Sequence, residues 1–209
     1  ERLWRLAAGD ASADPSAETL EPRLYPGERE RAAIDAMLKE IPRDGAPLLA
    51  LAPGSIWGTK RWPYFPALAS RVAPLYRIVV VGGADDAALA AEIARAAGPE
   101  RVVDATGKFS LLASAELLSR CAALVTNDSA PQHLASAAGT PTLTIFGPTV
   151  PAFGFGPLAP RHATVRNDQL DCRPCDSHGP MVCPLGHFKC MKELSVEQVS
   201  RALNSLLLP

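Results

Sequence analysis

The sequence predicts an α/β fold, a Rossmann-like parallel sheet with helices on both of its faces. From residue 47 onward, short apolar runs rich in Val, Ile and Leu alternate with helical stretches. This alternation is typical of parallel α/β sheets. One of the runs, residues 78–81, is apolar throughout, as expected of a strand that is covered on both faces.

The periodicity places five strands in the sheet. They are expected at residues 48–52, 77–81, 101–104, 123–126 and 142–146. Helices are expected between and around them, at residues 28–41, 65–72, 85–97, 111–121, 131–138 and 196–207. Pro42 is expected to end the first helix, because a proline lacks the backbone N–H that would continue it. Gly139 is suited to cap the helix at residues 131–138.

The first 46 residues differ in composition from the rest. Residues 1–8 resemble the end of a helix, and residues 9–26 are rich in Ala, Ser, Asp and Pro, which is typical of a linker. We therefore assign residues 1–46 to the end of a preceding domain, a linker and a lead-in helix. Residues 47–209 form the main domain, including a Cys-rich loop at 170–192. The missing initial Met favours a fragment.

Charge and composition exclude several classes of protein. The net charge is −1, so there is no basic surface to indicate binding to nucleic acid or anionic lipid. No apolar run reaches the roughly 20 residues needed to cross a bilayer, and no signal peptide is recognised. Four of the five cysteines lie close together in the sequence. In an otherwise ordinary domain this favours reduced thiols and a cytoplasmic protein.

The residues that follow each predicted strand are the candidates for ligand binding, because open α/β sheets bind ligands at the carboxyl ends of their strands. The fourth of these loops carries the most informative pattern. Ser129 suits a helix N-cap whose hydroxyl accepts a free amide, and Pro131 suits the first helical turn. The amides at this helix start could bind phosphate, with Asp128 and His133 beside them.

The other loops carry further candidates. Gly54 and Gly58 permit close approach of a ligand in the first loop, where Lys60 or Arg61 could neutralise a diphosphate. Asp85 could bind ribose hydroxyls, or it could simply be an acidic residue at a helix N-terminus, where the helix dipole favours negative charge. The sequence lacks G-x-G-x-x-G after the first strand, a Walker-type loop and a G-x-S-x-G elbow.

Two aromatic side chains near these loops have competing explanations. Phe109 could stack on a nucleotide base, although a core position is the more common explanation for a single phenylalanine. Trp62 is expected to pack in the core.

Four ordered segments of the sequence resemble the lipopolysaccharide heptosyltransferase family. They are PGSIWGTKRWP, VVVGGADD, VTNDSAPQHLASAAGTPTLTIFGPT and LDCRPCDSHGPMVCPLGHFKCMKELSVEQV. The resemblance implies the C-terminal half of a GT-B glycosyltransferase, a protein of two facing Rossmann-like halves. That half would bind a nucleotide sugar, typically ADP-heptose. The absent N-terminal half would bind a lipid-linked saccharide acceptor and supply the catalytic base.

The resemblance also implies roles for individual residues. Lys60 would contact the donor phosphates, and Lys60 and His133 would stabilise the leaving diphosphate. The other implied contacts to the nucleotide sugar come from Ser55, Thr59, Asp85 (ribose), Phe109 (adenine), Asp128 (sugar hydroxyls), and the backbone of Ser129 and Ala130. Transfer would invert the anomeric centre without a cofactor or a metal at the donor. The chain alone would bind the donor weakly and transfer nothing, and contact with the inner membrane would be at most peripheral.

The Cys-rich loop has two explanations. Cys172, Cys175, Cys183 and Cys190 are spaced like ligands of a structural zinc or iron ion, which would stabilise a loop with little core of its own. Reduced, partly buried thiols are the favoured explanation. Cys121 lies on a helix face and is expected in the core.

Two functional alternatives come from the residues themselves. One is another nucleotide-sugar enzyme of the same architecture, such as an epimerase. It would need several acids and bases around the sugar, where only Asp128 and His133 can be placed. The other is a nucleotide-binding module without catalytic activity.

Overall fold

The computed structural model describes residues 21–42 and 44–208. The predicted helix end at residues 1–8 and most of the predicted linker at 9–26 lie outside the described residues. The described residues form a six-stranded sheet in which every pairing is parallel. The strands are β1 Leu48–Ala52, β2 Arg77–Val80, β3 Val102–Asp104, β4 Ala123–Asn127, β5 Thr142–Phe146 and β6 His162–Arg166.

Helices precede, connect and follow these strands. They are α1 Glu28–Lys39, α2 Phe65–Val72, α3 Ala87–Ala97, α4 Leu111–Ser119, α5 Ala130–Ala138, α6 Lys189–Lys192 and α7 Val196–Leu207. The predicted ends differ by a few residues. The amides of Arg120 and Cys121 bond to carbonyls three residues back, so the predicted helix at 111–121 closes as a tighter turn. No helix in the described ranges has the length and apolar character to span a membrane.

The core lies in two layers, one on each face of the sheet. Because successive strand residues point to opposite faces, Leu49 and Leu51 join one layer while Ala50 and Ala52 join the other. The first layer is completed by apolar side chains of α2, α3 and α7, and the second by side chains of α1, α4 and α5. The prediction of a Rossmann-like sheet with helices on both faces is confirmed.

Two core predictions for single residues are also confirmed. Trp62 is 2% exposed, and its indole Nε1 donates to the Leu194 carbonyl. Cys121 is buried in the second layer, where desolvation raises the pKa of its thiol to about 12.

The prediction of five strands was wrong by one, because β6 was missed. This strand pairs only with β5, at the edge of the sheet. Exposed and half-buried residues alternate along it, so it lacks the continuous apolar run that identifies a central strand. The short helix α6 was missed as well, since its four residues, Lys189–Lys192, are too few to show a periodicity.

The strand order fixes where a ligand site can form. The order is β3-β2-β1-β4-β5-β6, so the chain winds outward from β1 in one direction and from β4 in the other. The connections after β1 and β4 therefore diverge and leave a crevice at the carboxyl ends of these two strands.

Asn127, the last residue of β4, holds the connection after β1 at both of its ends. Its side-chain Nδ2 donates to the Pro53 carbonyl at 2.8 Å, and its Oδ1 accepts from the Trp62 amide at 3.1 Å. The side chain is fully buried. The loop that carries Lys60 is thereby fixed to the end of β4.

Replacement of this amide is expected to destabilise the fold. Asn127→Ala leaves two buried backbone groups without partners, at about 1–3 kcal/mol each. We expect the free energy of unfolding, measured by urea denaturation, to fall by about 2–6 kcal/mol. The exposed Asn204→Ala in α7 serves as the control and should change it little. A loss below about 1 kcal/mol for Asn127→Ala would contradict the clamp.

Candidate functional site

An ion pair joins the two connections that border the crevice. Lys60 ends the short 3₁₀ turn Gly58–Lys60 after β1, and Asp128 directly follows β4. The Lys60 Nζ atom lies 2.6 Å from Asp128 Oδ2, and both side chains are buried. Two residues 68 positions apart in the sequence thus meet at the point where the strand order reverses.

The Asp128 carboxylate has two further hydrogen-bond partners. Thr149 Oγ1 donates to Asp128 Oδ2 at 2.6 Å, and Gln132 Nε2 donates to Asp128 Oδ1 at 3.2 Å. A buried charge is tolerated only when its oxygens are paired and hydrogen-bonded, and these contacts meet that need. Sequence reasoning did not single out Thr149 or Gln132, although both lie in the segments that carry the family resemblance.

Helix α5 begins beside this carboxylate. Pro131 is in its first turn, as predicted. The prediction that the Ser129 hydroxyl caps the helix was wrong, because this hydroxyl turns back toward the Asn127 carbonyl oxygen at 3.4 Å. Among the described residues, the amides of Ser129 and Ala130 have no hydrogen-bond acceptor. Two N–H groups at the positive end of the helix are therefore left for a ligand.

His133 lies one turn into α5, close to the ion pair. Partial burial lowers the pKa of its imidazole below the ordinary 6.5, against the opposing effect of Asp128. The Lys60 ammonium lowers the pKa further. The imidazole is therefore neutral at neutral pH, so it offers a ligand one N–H donor and one acceptor rather than a positive charge.

The connection after β1 also carries Ser55 and Thr59. The Thr59 hydroxyl donates to the carbonyl of Pro180, and the Thr59 amide bonds to the same oxygen at 3.3 Å. Thr59 is buried, and its two bonds to Pro180 fasten the Cys-rich loop to the connection after β1. Ser55 is half-buried, and its hydroxyl oxygen accepts from the Trp57 amide at 3.3 Å. The structure thus turns the Thr59 side chain toward protein rather than toward open space.

The connection after β2 brings forward an acid that the sequence analysis did not choose. The predicted residue, Asp85, is exposed. Its neighbour Asp86 lies against Gly54 and Gly82, and a Cβ atom at Gly54 would come within 2.2 Å of Asp86 Oδ1. The Gly83 amide donates to Asp86 Oδ2 at 2.9 Å. Two glycines thus leave room for the Asp86 carboxylate between the ends of β1 and β2.

Phe109 lies in the connection after β3. Its ring is half-buried and packs against the second core layer. Core packing therefore accounts for part of the ring, and its remaining exposed part is at the same edge of the sheet as Asp86.

The four cysteines of the Cys-rich loop are free thiols. Within residues 21–42 and 44–208, no three His, Cys, Asp or Glu side chains are grouped to hold a metal ion. The zinc or iron set suggested for Cys172, Cys175, Cys183 and Cys190 stays a prediction. Burial raises the pKa of the Cys190 thiol to about 11, and the Cys175 thiol donates to the Cys172 carbonyl.

Arg173, between the first two of these cysteines, ties the Cys-rich loop to the site. Its guanidinium is buried and donates to the carbonyls of Gly147, Asn167 and Thr149, the last at 3.0 Å. The Cys175 amide adds a bond to the Pro148 carbonyl at 2.9 Å. The loop therefore supports the connection after β5, which carries Thr149.

Comparison with known proteins identifies relatives of this chain. Residues 5–184 match the model of glycosyltransferase family 9 (heptosyltransferase). Lipooligosaccharide heptosyltransferase 2 of Campylobacter jejuni is 32% identical over 173 residues, which are 80% of this chain and 53% of that protein. The chain spans about half the length of the curated relatives it matches.

Solved structures of the same family have the same fold. A family 9 glycosyltransferase from Veillonella parvula superposes with a TM-score of 0.80 at 25% identity, covering 97% of this chain and 58% of the other. The E. coli ADP-heptose lipopolysaccharide heptosyltransferase II superposes with a TM-score of 0.73 at 25% identity, covering 93% and 55%. The chain belongs to glycosyltransferase family 9, the heptosyltransferases.

Proposed function

We propose that this chain is the part of a heptosyltransferase that binds ADP-heptose, for transfer of the heptose to a lipopolysaccharide core acceptor. The observation that carries the proposal is the Lys60–Asp128 pair beside the free amides of Ser129 and Ala130. This arrangement lies in the crevice where α/β sheets bind nucleotides. The nucleotide and sugar follow from the name of the E. coli relative.

In this proposal the diphosphate lies between the start of α5 and the Lys60 ammonium. Glycosyl transfer builds negative charge on the leaving diphosphate, and fixed donors aimed at it act most strongly in the transition state. The two helix amides, Lys60 and the N–H of His133 would supply these donors without a metal. Asp128 would accept hydrogen bonds from the hydroxyls of the sugar.

The nucleoside would extend from the diphosphate toward β2 and β3. Asp86 rather than Asp85 would bind the ribose hydroxyls, since Gly54 and Gly82 let its carboxylate lie at the ends of β1 and β2. The exposed part of the Phe109 ring would contact the adenine. The acceptor and the catalytic base would come from the other half of the relatives' length, and transfer would invert the anomeric centre.

The proposal is tested by nucleotide binding. We expect ADP to raise the unfolding temperature of the chain more than UDP or GDP does, because a ligand stabilises the state that binds it. Lys60→Met should weaken ADP binding by calorimetry roughly 10- to 100-fold, as expected for loss of one charge-assisted hydrogen bond.

Lys39→Met, the same change at the exposed end of α1, is the control and should leave ADP affinity unchanged. Equal stabilisation by ADP, UDP and GDP, or full affinity in Lys60→Met, would argue against the proposed donor site. The chain by itself is expected to transfer no heptose.

The choice between the two acids is tested by removing a ribose hydroxyl. Wild-type chain should bind ADP more tightly than 2′-deoxy-ADP, because the half-buried Asp86 carboxylate loses a hydroxyl partner in the second complex. Asp86→Asn should bring the two affinities to within about threefold. Asp85→Asn, the adjacent and exposed counterpart, should preserve the preference. The reverse pattern would return the ribose contact to Asp85.

The electrostatics of His133 are tested by NMR titration of its imidazole. Lys60→Met removes a charge that lowers the His133 pKa, so this pKa should rise; Asp128→Asn removes a charge that raises it, so the pKa should fall. Lys39→Met should leave it unchanged. Since the folded state has the lower pKa, His133 makes the free energy of unfolding fall as the pH decreases below 6.5. Shifts of the opposite sign would contradict the arrangement.

A further inference from the structure

The two oxygens of the Asp128 carboxylate differ in how many hydrogen bonds they already accept. Oδ2 accepts from both Lys60 Nζ and Thr149 Oγ1, each at 2.6 Å. Oδ1 accepts only from Gln132 Nε2, at 3.2 Å, among the described residues. Since each oxygen has about two lone-pair directions, Oδ1 keeps one free for a sugar hydroxyl. The direction of that lone pair depends on how the carboxylate is held.

Gln132 is built to hold one orientation. It is fully buried, its Nε2 donates to Asp128 Oδ1 and to the Phe155 carbonyl, and its Oε1 accepts from Thr144 Oγ1 at 3.0 Å. A flipped amide would set its oxygen against two acceptors, so the contacts determine its orientation. Gln132 thereby connects the carboxylate to β5 and to the loop that contains Phe155.

Thr149 holds the other oxygen and is itself held by the Cys-rich loop. Its side chain is fully buried, and its hydroxyl donates a hydrogen bond to Asp128 Oδ2. Its carbonyl accepts from the buried guanidinium of Arg173. The path from Arg173 through Thr149 to Asp128 connects the Cys-rich loop to the site.

We propose that Gln132, Thr149 and, through Thr149, Arg173 are positioning residues that fix the Asp128 carboxylate for the sugar of the nucleotide-sugar donor. This inference rests on the proposed function. Its physical content is that Lys60 can shift toward the diphosphate without releasing Asp128, because Thr149 and Gln132 keep one hydrogen bond on each carboxylate oxygen.

The test separates the sugar from the nucleotide. Calorimetric titration of the chain with ADP and with ADP-heptose gives two dissociation constants. The quotient, the dissociation constant of ADP divided by that of ADP-heptose, measures how much the sugar strengthens binding. Thr149→Val removes the hydroxyl at constant shape, and Gln132→Met removes the amide at similar length. Each should lower the quotient about fivefold or more while ADP affinity changes less than threefold. Thr149→Ser keeps the hydroxyl and should keep the quotient.

A double-variant comparison distinguishes positioning from a merely structural effect. In an Asp128→Ala background, Thr149→Val should not lower the quotient further, because both changes remove the same interaction. Independent, additive losses would overturn the inference. An unchanged quotient in Thr149→Val and Gln132→Met would also overturn the inference if Asp128→Ala lowers the quotient. With ADP binding intact, that result would leave the proposed function standing. A wild-type chain that does not bind ADP would overturn both.

Discussion

The contact between Lys60 and Asp128 is the constraint on which the rest of the site depends. The two residues come from connections that wind away from each other, and they meet only because β1 and β4 are neighbours in the sheet. A buried carboxylate beside a buried ammonium requires fixed geometry, since the cost of desolvation is recovered only when both charges are well paired. The Asn127 side-chain amide provides that geometry, because it bonds to both ends of the connection after β1.

The charges at this point nearly cancel, and that balance suits an incoming anion. Lys60 and Asp128 neutralise each other, and His133 is neutral because burial and Lys60 both lower its pKa. The free amides of Ser129 and Ala130 then leave a partial positive charge at the start of α5. In the proposed function, an arriving diphosphate would find donors already in place, so little reorganisation would be needed when charge develops on it.

The sequence predicted the fold well because the relevant signals are local. Four elements have the predicted bounds, since each is an apolar or amphipathic run flanked by residues that end a strand or helix. They are Leu48–Ala52, Phe65–Val72, Thr142–Phe146 and Val196–Leu207. Strand β6 was missed because an edge strand needs no continuous apolar run.

The site was only partly predictable, since its contacts join distant segments. Loop position indicated Asp128 and the start of α5, but it left Lys60 and Arg61 as alternatives, and the family resemblance selected Lys60. The roles of Gln132 and Thr149 depend on side-chain directions that periodicity does not encode. Sequence position does not show that Asp86 rather than Asp85 packs against Gly54 and Gly82. Nor does it show that the Ser129 hydroxyl bonds to the Asn127 carbonyl instead of a helix amide.

The Cys-rich loop bridges the two halves of the sheet, and this limits how small a working unit can be. On one side it holds Thr59 through Pro180, and on the other it holds the connection after β5 through Arg173 and the Cys175 amide. A version of the domain trimmed after β6 would keep the strands but lose helix α7 from the first core layer and the contacts that hold the connections after β1 and β5. The smallest unit that keeps these contacts therefore extends past the last strand, and changes in loop length there are expected to be less tolerated than in an ordinary surface loop.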